Sequence, residues 1–257
     1  MLIDTHCHLD AADFDADREA VFDRARAEAV SHFVVPGTTR AAWPGVLALG
    51  ERADVSVCLG LHPYFMDAHR LKDDADIKAL EVALDEHRGV AAVGECGIDA
   101  RFEQTLAAQW RLFDAQLRLA KRRELPVVIH CVHANDEVAK RLRQLALPRG
   151  GLIHAFAGSP EQAQRFLKLG YTLGLGGALT YPRAKKLHRV VKSLPADGFV
   201  LETDSPDMPL CAFQGQRNEP ANVAKVCQHV AERRGESAAT VAAQSTANAR
   251  ALFGPGG

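Results

Sequence analysis

No apolar run in this chain approaches the ~18 residues that a membrane-spanning helix needs, which excludes a transmembrane anchor. Its first residues, Met1-Leu2-Ile3-Asp4, carry neither the basic nor the apolar segment of an export signal, so a cytoplasmic protein is expected. Net charge is nearly absent: 31 Lys+Arg stand against 32 Asp+Glu, for a formal −1. Nothing global draws such a chain to nucleic acid or a membrane surface, and any grip on a polyanion must be local. None of the six cysteines forms a CxxC pair, which excludes a thiolate zinc knuckle. In a reducing compartment they stay as thiols. Cys7, Cys96 and Cys131 each follow a candidate ligand and read as small packing residues on the opposite face of a strand. No Gly/Ser linker, low-complexity tract or solenoid period divides the sequence, so a single domain over 1–257 is expected, with no tract that demands a protein partner.

What the chain does have is apolar residue in quantity, 47%, arranged in eight β-branched-rich runs at 1–6, 32–37, 55–60, 90–95, 126–131, 151–156, 172–177 and 199–204. Near-continuous apolar strands are buried on both faces, the mark of a parallel sheet. Between them, helical spacing appears over 13–30, 103–124, 159–168 and 183–193, with two further helices in 217–251. Ser159-Pro160-Glu161 makes a helix start, Ser as N-cap and Pro in the first turn. The alternation predicts an α/β fold, a TIM-type (β/α)8 barrel with extra C-terminal helices. A doubly wound open sheet is the rival. It would spread the chemistry-bearing residues along a line, whereas a barrel gathers them at one mouth.

Those residues recur at the carboxyl ends of the runs. His6 and His8 alternate with Cys7 and so point the same way. Two imidazoles there suit a divalent metal, though they could equally cap backbone carbonyls. Glu95 ends the run Val90-Ala91-Ala92-Val93-Gly94. A carboxylate there needs a salt bridge or a metal to offset desolvation, and its two oxygens could bridge two ions. His130 and His154 end neighbouring runs, either as packing histidines or as ligands. Asp204, in Glu202-Thr203-Asp204-Ser205-Pro206, either forms an Asx-turn or holds a nucleophilic water and accepts its proton. Glu202 shares its parity but lies one step deeper. His62, in Gly60-Leu61-His62-Pro63, reads as a substrate contact, a supporting residue or a plain turn histidine. Four His, one Glu and one Asp match the donor count of two borderline cations, and so many imidazoles favour zinc or manganese over magnesium. Arg183, Lys185 and Lys186 form a local basic patch able to hold phosphates, and Arg217 follows the last run. Gly174, Gly176 and Gly177 allow close backbone approach or packing.

The stretches Asp4-Thr5-His6-Cys7-His8-Leu9-Asp10, Gly60-Leu61-His62-Pro63, Gly94-Glu95-Cys96-Gly97-Ile98-Asp99, Leu125 to His130, His154 to Gly158, Glu202 to Pro206 and Arg217-Asn218-Glu219-Pro220, in this order, resemble the TatD-like metal-dependent DNases, a branch of the amidohydrolase superfamily of TIM barrels. Gly215-Gln216-Arg217 after Asp207-Met208-Pro209-Leu210 is most similar to the bacterial YjjV branch. The resemblance implies two divalent ions. His6, His8 and Asp204 would hold one with Glu95, and His130 and His154 the other, Glu95 bridging. It also implies exonuclease or DNase action on DNA ends. Two departures stand out: His130-Cys131-Val132-His133 lacks the family's arginine, and Ala100 takes the place of a frequent aromatic. Two functions are therefore expected in order: a deoxyribonuclease cleaving phosphodiesters from DNA ends, with Asp204 and Glu95 as catalytic residues and His62, Arg183, Lys185 and Arg217 at the substrate, and after it an amidohydrolase-type cleavage of a small amide, ester or phosphoester. A non-catalytic metal-binding scaffold ranks last.

Overall fold

Each apolar run becomes a parallel strand: β1 (Leu2–Asp4), β2 (Val30–Pro36), β3 (Val55–Leu59), β4 (Ala92–Asp99), β5 (Val127–Val132), β6 (Gly151–Ile153), β7 (Tyr171–Leu175) and β8 (Phe199–Leu201). A computed structural model, which describes residues 1–254, places them side by side in sequence order. The first and last strands meet across a seam. Thr5 donates its backbone N–H to Leu201, and Asp204 donates its own to His6, at 3.1 and 2.8 Å. Asp4 braces the same seam, accepting from the Thr203 backbone and hydroxyl. The result is a nearly closed (β/α)8 barrel.

Side chains alternate between two environments. Ile3, Val34, Cys58, Ala92, Val128, Leu152 and Val200, one from each of seven strands, fill the interior together with Ala249, Leu252 and Phe253. The other parity packs outward against the helices. These are α1 (Arg18–Ala27), α2 (Trp43–Leu49), α3 (Ala75–Glu86), α4 (Leu106–Arg123), α5 (Asn135–Leu145), α6 (Pro160–Lys168), α7 (Lys185–Ser193), α8 (Val223–Arg234) and α9 (Ala238–Phe253). α9 is the plug. Its Ser245 hydroxyl accepts from Leu201 N–H, its Asn248 amide donates to the Phe199 carbonyl, and its last turn closes the bottom of the interior.

The expected start of α6 is present as a full capping box: Ser159 accepts from Gln162 N–H, and the Gln162 side chain accepts from Ser159 N–H. Helix α4 begins at Leu106 after a short 3-10 turn at Glu103–Thr105, and α1 begins only at Arg18. Helices α2, α3 and α5 are additions to the expected set. α5 buries Val138, Ala139 and Leu142 on one face of an otherwise polar segment. No helix among the described residues is long and apolar enough to cross a membrane.

Candidate metal centre

The carboxyl ends of the strands gather the predicted donors around one carboxylate. Glu95 lies within β4, where a bulge between Val93 and Cys96 sets an extra residue against β5. Val93 and Cys96 both pack outward with the helices, and strict alternation from Val93 would send Glu95 outward too. The bulge turns it inward instead. Two glycines permit this. Gly94 (φ 153°) and Gly97 (φ 149°) lie so close to β5 that a Cβ would collide with the Val128 and His130 carbonyls respectively.

The two oxygens of Glu95 face different partners. Oε2 lies 3.1 Å from His6 Nε2 and 3.5 Å from His8 Nε2, and both imidazoles approach Asp204 Oδ1, at 3.4 and 3.5 Å. Oε1 lies 2.9 Å from His62 Nε2, 3.0 Å from His154 Nε2 and 3.3 Å from His130 Nδ1. Ligands about 2.1 Å from one tetrahedral cation sit roughly 3.4 Å apart, the spacing found here. His6 adds a second sign. It is fully buried, yet neither ring nitrogen makes a well-formed hydrogen bond among the described residues: Nδ1 meets no polar partner, and Nε2 faces only the Glu95 and Asp204 carboxylates. A buried imidazole left unpaired in this way is an available ligand. Three overlapping donor groups can hold a metal: His6–Glu95–His154, His6–His8–Asp204 and His62–Glu95–His130. The residues present therefore fit divalent cations.

Charge within the cluster follows from burial and proximity. Burial would raise the Glu95 carboxyl, but His62, His154 and His6 overcome it and hold the group well below the usual range. Asp204 behaves likewise through His154, His8 and His6. Burial keeps His6 and His62 neutral, His62 down to about 4. For His8, His130 and His154, burial is overridden by the facing carboxylates, and their pKa values rise.

Several supporting residues lie outside the predicted site set, Glu202 having been ranked below Asp204. Asp99, fully buried, accepts from His130 Nε2 at 3.1 Å and from Arg101 Nε and Nη2, which leaves His130 Nδ1 free to face Glu95. The motif Gly97-Ile98-Asp99 was visible, and its spacing after Glu95 was the available signal. Glu202 sits behind His154, with Oε1 3.7 Å from its Nδ1 while accepting from Ala155 N–H. Asn218 donates to the carbonyls of Thr203, Asp207 and Met208 and so fixes the loop that presents Asp204. Asp204 itself adopts a left-handed backbone (φ 59°), which Asp tolerates better than most residues.

Two of the predicted substrate contacts take protein partners. His62 stands against the donor cluster, where the supporting role among its alternatives would place it. Its Nδ1 accepts from Tyr64 N–H, which leaves Nε2 to face Glu95 Oε1 at 2.9 Å. Arg217 is occupied elsewhere. It bonds Asp17, Glu219 and the Asp13 carbonyl and lies 4.7 Å over the Phe14 ring, tying α1 to the loop after β8. The boundaries also move: β1, β6 and β8 end before His6, His154 and Asp204, which sit on the loops just beyond. Counting in twos from the interior Ile3 would turn His6 and His8 outward, and it is the change of course at Thr5 that points them in. Lys185 opens α7 and Arg183 lies in the loop just before it, both exposed, Arg183 against the Tyr181 ring.

Comparison with known proteins agrees with this geometry. Residues 3–254 match the family described as TatD related DNase. A metal-dependent hydrolase named YjjV from Escherichia coli (strain K12) is 43% identical, the match covering 98% of this chain and 97% of that one. The crystal structure of the E. coli protein superposes with a TM-score of 0.94 at 42% identity, over 98% of this chain and 97% of that one. A protein from Pantoea ananatis named 3'-5' ssDNA/RNA exonuclease TatD is 33% identical, over 98% and 99% of the two chains. With a family match that spans nearly its whole length, the chain belongs to the TatD related DNase family.

Proposed function

We propose that this chain, working as one domain over residues 1–257, is a metal-dependent hydrolase that cleaves phosphodiester bonds at DNA ends with two divalent cations, zinc or manganese before magnesium. The observation that carries this reading is the division of labour in Glu95. Oε2 faces the His6–His8–Asp204 group, and Oε1 faces His130 and His154. Such a pair of cations supplies positive charge against phosphoryl oxygens and acidifies an attacking water. Of the two central carboxylates, Asp204 is the one solvent reaches, its side chain 16% exposed against 2% for Glu95. Asp204 therefore holds the attacking water and takes its proton, its depressed pKa keeping it ready as a base. Glu95 stays dry and positions both halves of the site. Asp99 orients His130. Arg183 and Lys185 offer charge to phosphates that extend past the mouth. A near-neutral chain holds few phosphates at a time, in keeping with an end rather than a long duplex. The name of the Pantoea relative supports a nucleic-acid substrate.

Release of mononucleotides from end-labelled single-stranded DNA by metal-loaded protein, abolished in Glu95→Ala, is the expected result. Absence of any cleavage refutes the reading. A second reading, hydrolysis of a small amide, ester or phosphoester, is favoured by two features: Cys131-Val132-His133 brings no arginine or lysine next to His130, and Arg217 is engaged elsewhere. Turnover of small esters with intact DNA left uncut would select it.

A further inference from the structure

Large apolar side chains left in water need a reason when they cluster. Among the described residues, the exposed large hydrophobics are Met1, Tyr64, Phe65, Val82 and Phe102. Three of these five stand together at the mouth. Tyr64 is 58% exposed, Phe65 39% and Phe102 38%. Tyr64 meets Phe65 edge-on at 5.1 Å and Phe102 edge-on at 5.4 Å. They come from different loops, Tyr64 and Phe65 from the turn after β3 and Phe102 from the loop after β4. The fold has therefore assembled the group, and it is not a local run of apolar sequence. The group also adjoins the donor cluster. Phe65 lies 5.7 Å from the His62 ring, and His62 Nε2 lies 2.9 Å from Glu95 Oε1. On the far side the Arg101 guanidinium lies 5.7 Å over the Phe102 ring while remaining paired with Asp99.

We propose that Tyr64, Phe65 and Phe102 form a stacking platform for an unpaired nucleobase whose phosphate is presented to the donor cluster. This deepens the nuclease reading and rests on it. A T-shaped contact sets the edge of one ring on one face of the other and leaves that ring's opposite face uncovered by the pair, and an aromatic face in water is what a base requires. Stacking of this kind is tolerant of sequence because every base has a π-face. It is closed to a base that is still paired and stacked inside a duplex, so the platform selects single strands and frayed ends. Arg101, though paired with Asp99, keeps its guanidinium 53% exposed at the rim, where its plane can lie against a base. The shared residue His62 makes platform and cluster continuous, which places the stacked base beside the bond to be cut.

The test is binding, independent of cleavage. Affinity of the full chain is measured for a short dT strand and for an abasic strand with the same number of phosphates, in chelator and again with manganese over a cleavage-resistant phosphorothioate backbone. The expected result is about ten-fold tighter binding of dT, lost when Tyr64→Ala and Phe102→Ala are combined and retained in Tyr64→Trp. Both positions are exposed, and the His62 contact uses the Tyr64 backbone N–H, so truncation leaves that contact in place. Equal affinity for the two strands in the natural chain overturns the platform, as does a preference that survives the double substitution. Base-dependent binding without cleavage of any phosphodiester would sink the nuclease reading and leave the platform standing. Equal cleavage of dT and abasic strands would do the reverse.

Discussion

Asp99→Asn isolates what holds one half of the cluster in position. The carboxylate is fully buried, accepts from His130 Nε2 at 3.1 Å, and is itself gripped by Arg101 and by Arg101 N–H. Burial would raise its pKa, but Arg101 and His130 hold it below the usual range, so it is an anion at neutral pH. An anion behind an imidazole fixes the proton on the near nitrogen and makes the far nitrogen, here Nδ1, a stronger donor. An amide of the same shape removes the charge and can turn its NH2 toward His130, which favours the wrong tautomer. Losing such a partner lowers metal affinity about 10- to 100-fold, or about 1.4–2.7 kcal/mol. The pair with Arg101 adds little of its own, because the guanidinium side chain is 53% exposed and screened. Calorimetric titration of metal-stripped protein with zinc or manganese reads the effect. One of two binding steps should weaken, while the metal-free melting temperature moves little. If both affinities match those of the natural chain, Asp99 does not orient a ligand and the role given to His130 fails with it.

The remaining predictions address charge, backbone and caps. Metal loading at neutral pH should release protons, since His8, His130 and His154 sit above their ordinary value of 6.5 where Asp204, Asp99 and Glu95 outweigh burial. The stability these three lend the metal-free protein is complete below pH 6.5 and fades as pH rises through their raised values, so the melting-temperature gain on adding metal should widen with pH. A gain that shrinks as pH rises contradicts this. Gly97→Ala forces a Cβ into the His130 carbonyl at φ 149° and should destabilise by about 3 kcal/mol, seen as a melting temperature lower by about 6–12 °C; an unchanged melt refutes the steric account. Ser159→Ala removes the cap of α6 and should destabilise by about 1 kcal/mol without touching metal affinity.

How much of this was legible in the sequence depends on which physical rule fixed each feature. Val127-Val128-Ile129 is buried on both sides, as a strand of a parallel sheet under helices is, and eight such runs alternating with helical spacing made the barrel legible. The six predicted donors meet because a barrel brings all strand ends to one rim. Alternation does not explain how they point. Glu95 would face the helices if β4 were regular, and His6 and His8 would do so if β1 continued past Asp4. A bulge and an early strand end correct the parity, and both are set by neighbours distant in sequence: β5 packed against Gly94 and Gly97, and Thr203 bonded to Asp4. The same limit applies to Arg217. Its place after β8 suggested the mouth, but Asp17, 200 residues away, neutralises it in an ion-pair network that also holds Arg24. For His62 the residues left three roles open, because the choice depends on which ring nitrogen Tyr64 N–H engages. Local composition thus specified the scaffold and the donor types. Orientation came from contacts across the barrel, and in a metal centre orientation decides which nitrogen carries a lone pair.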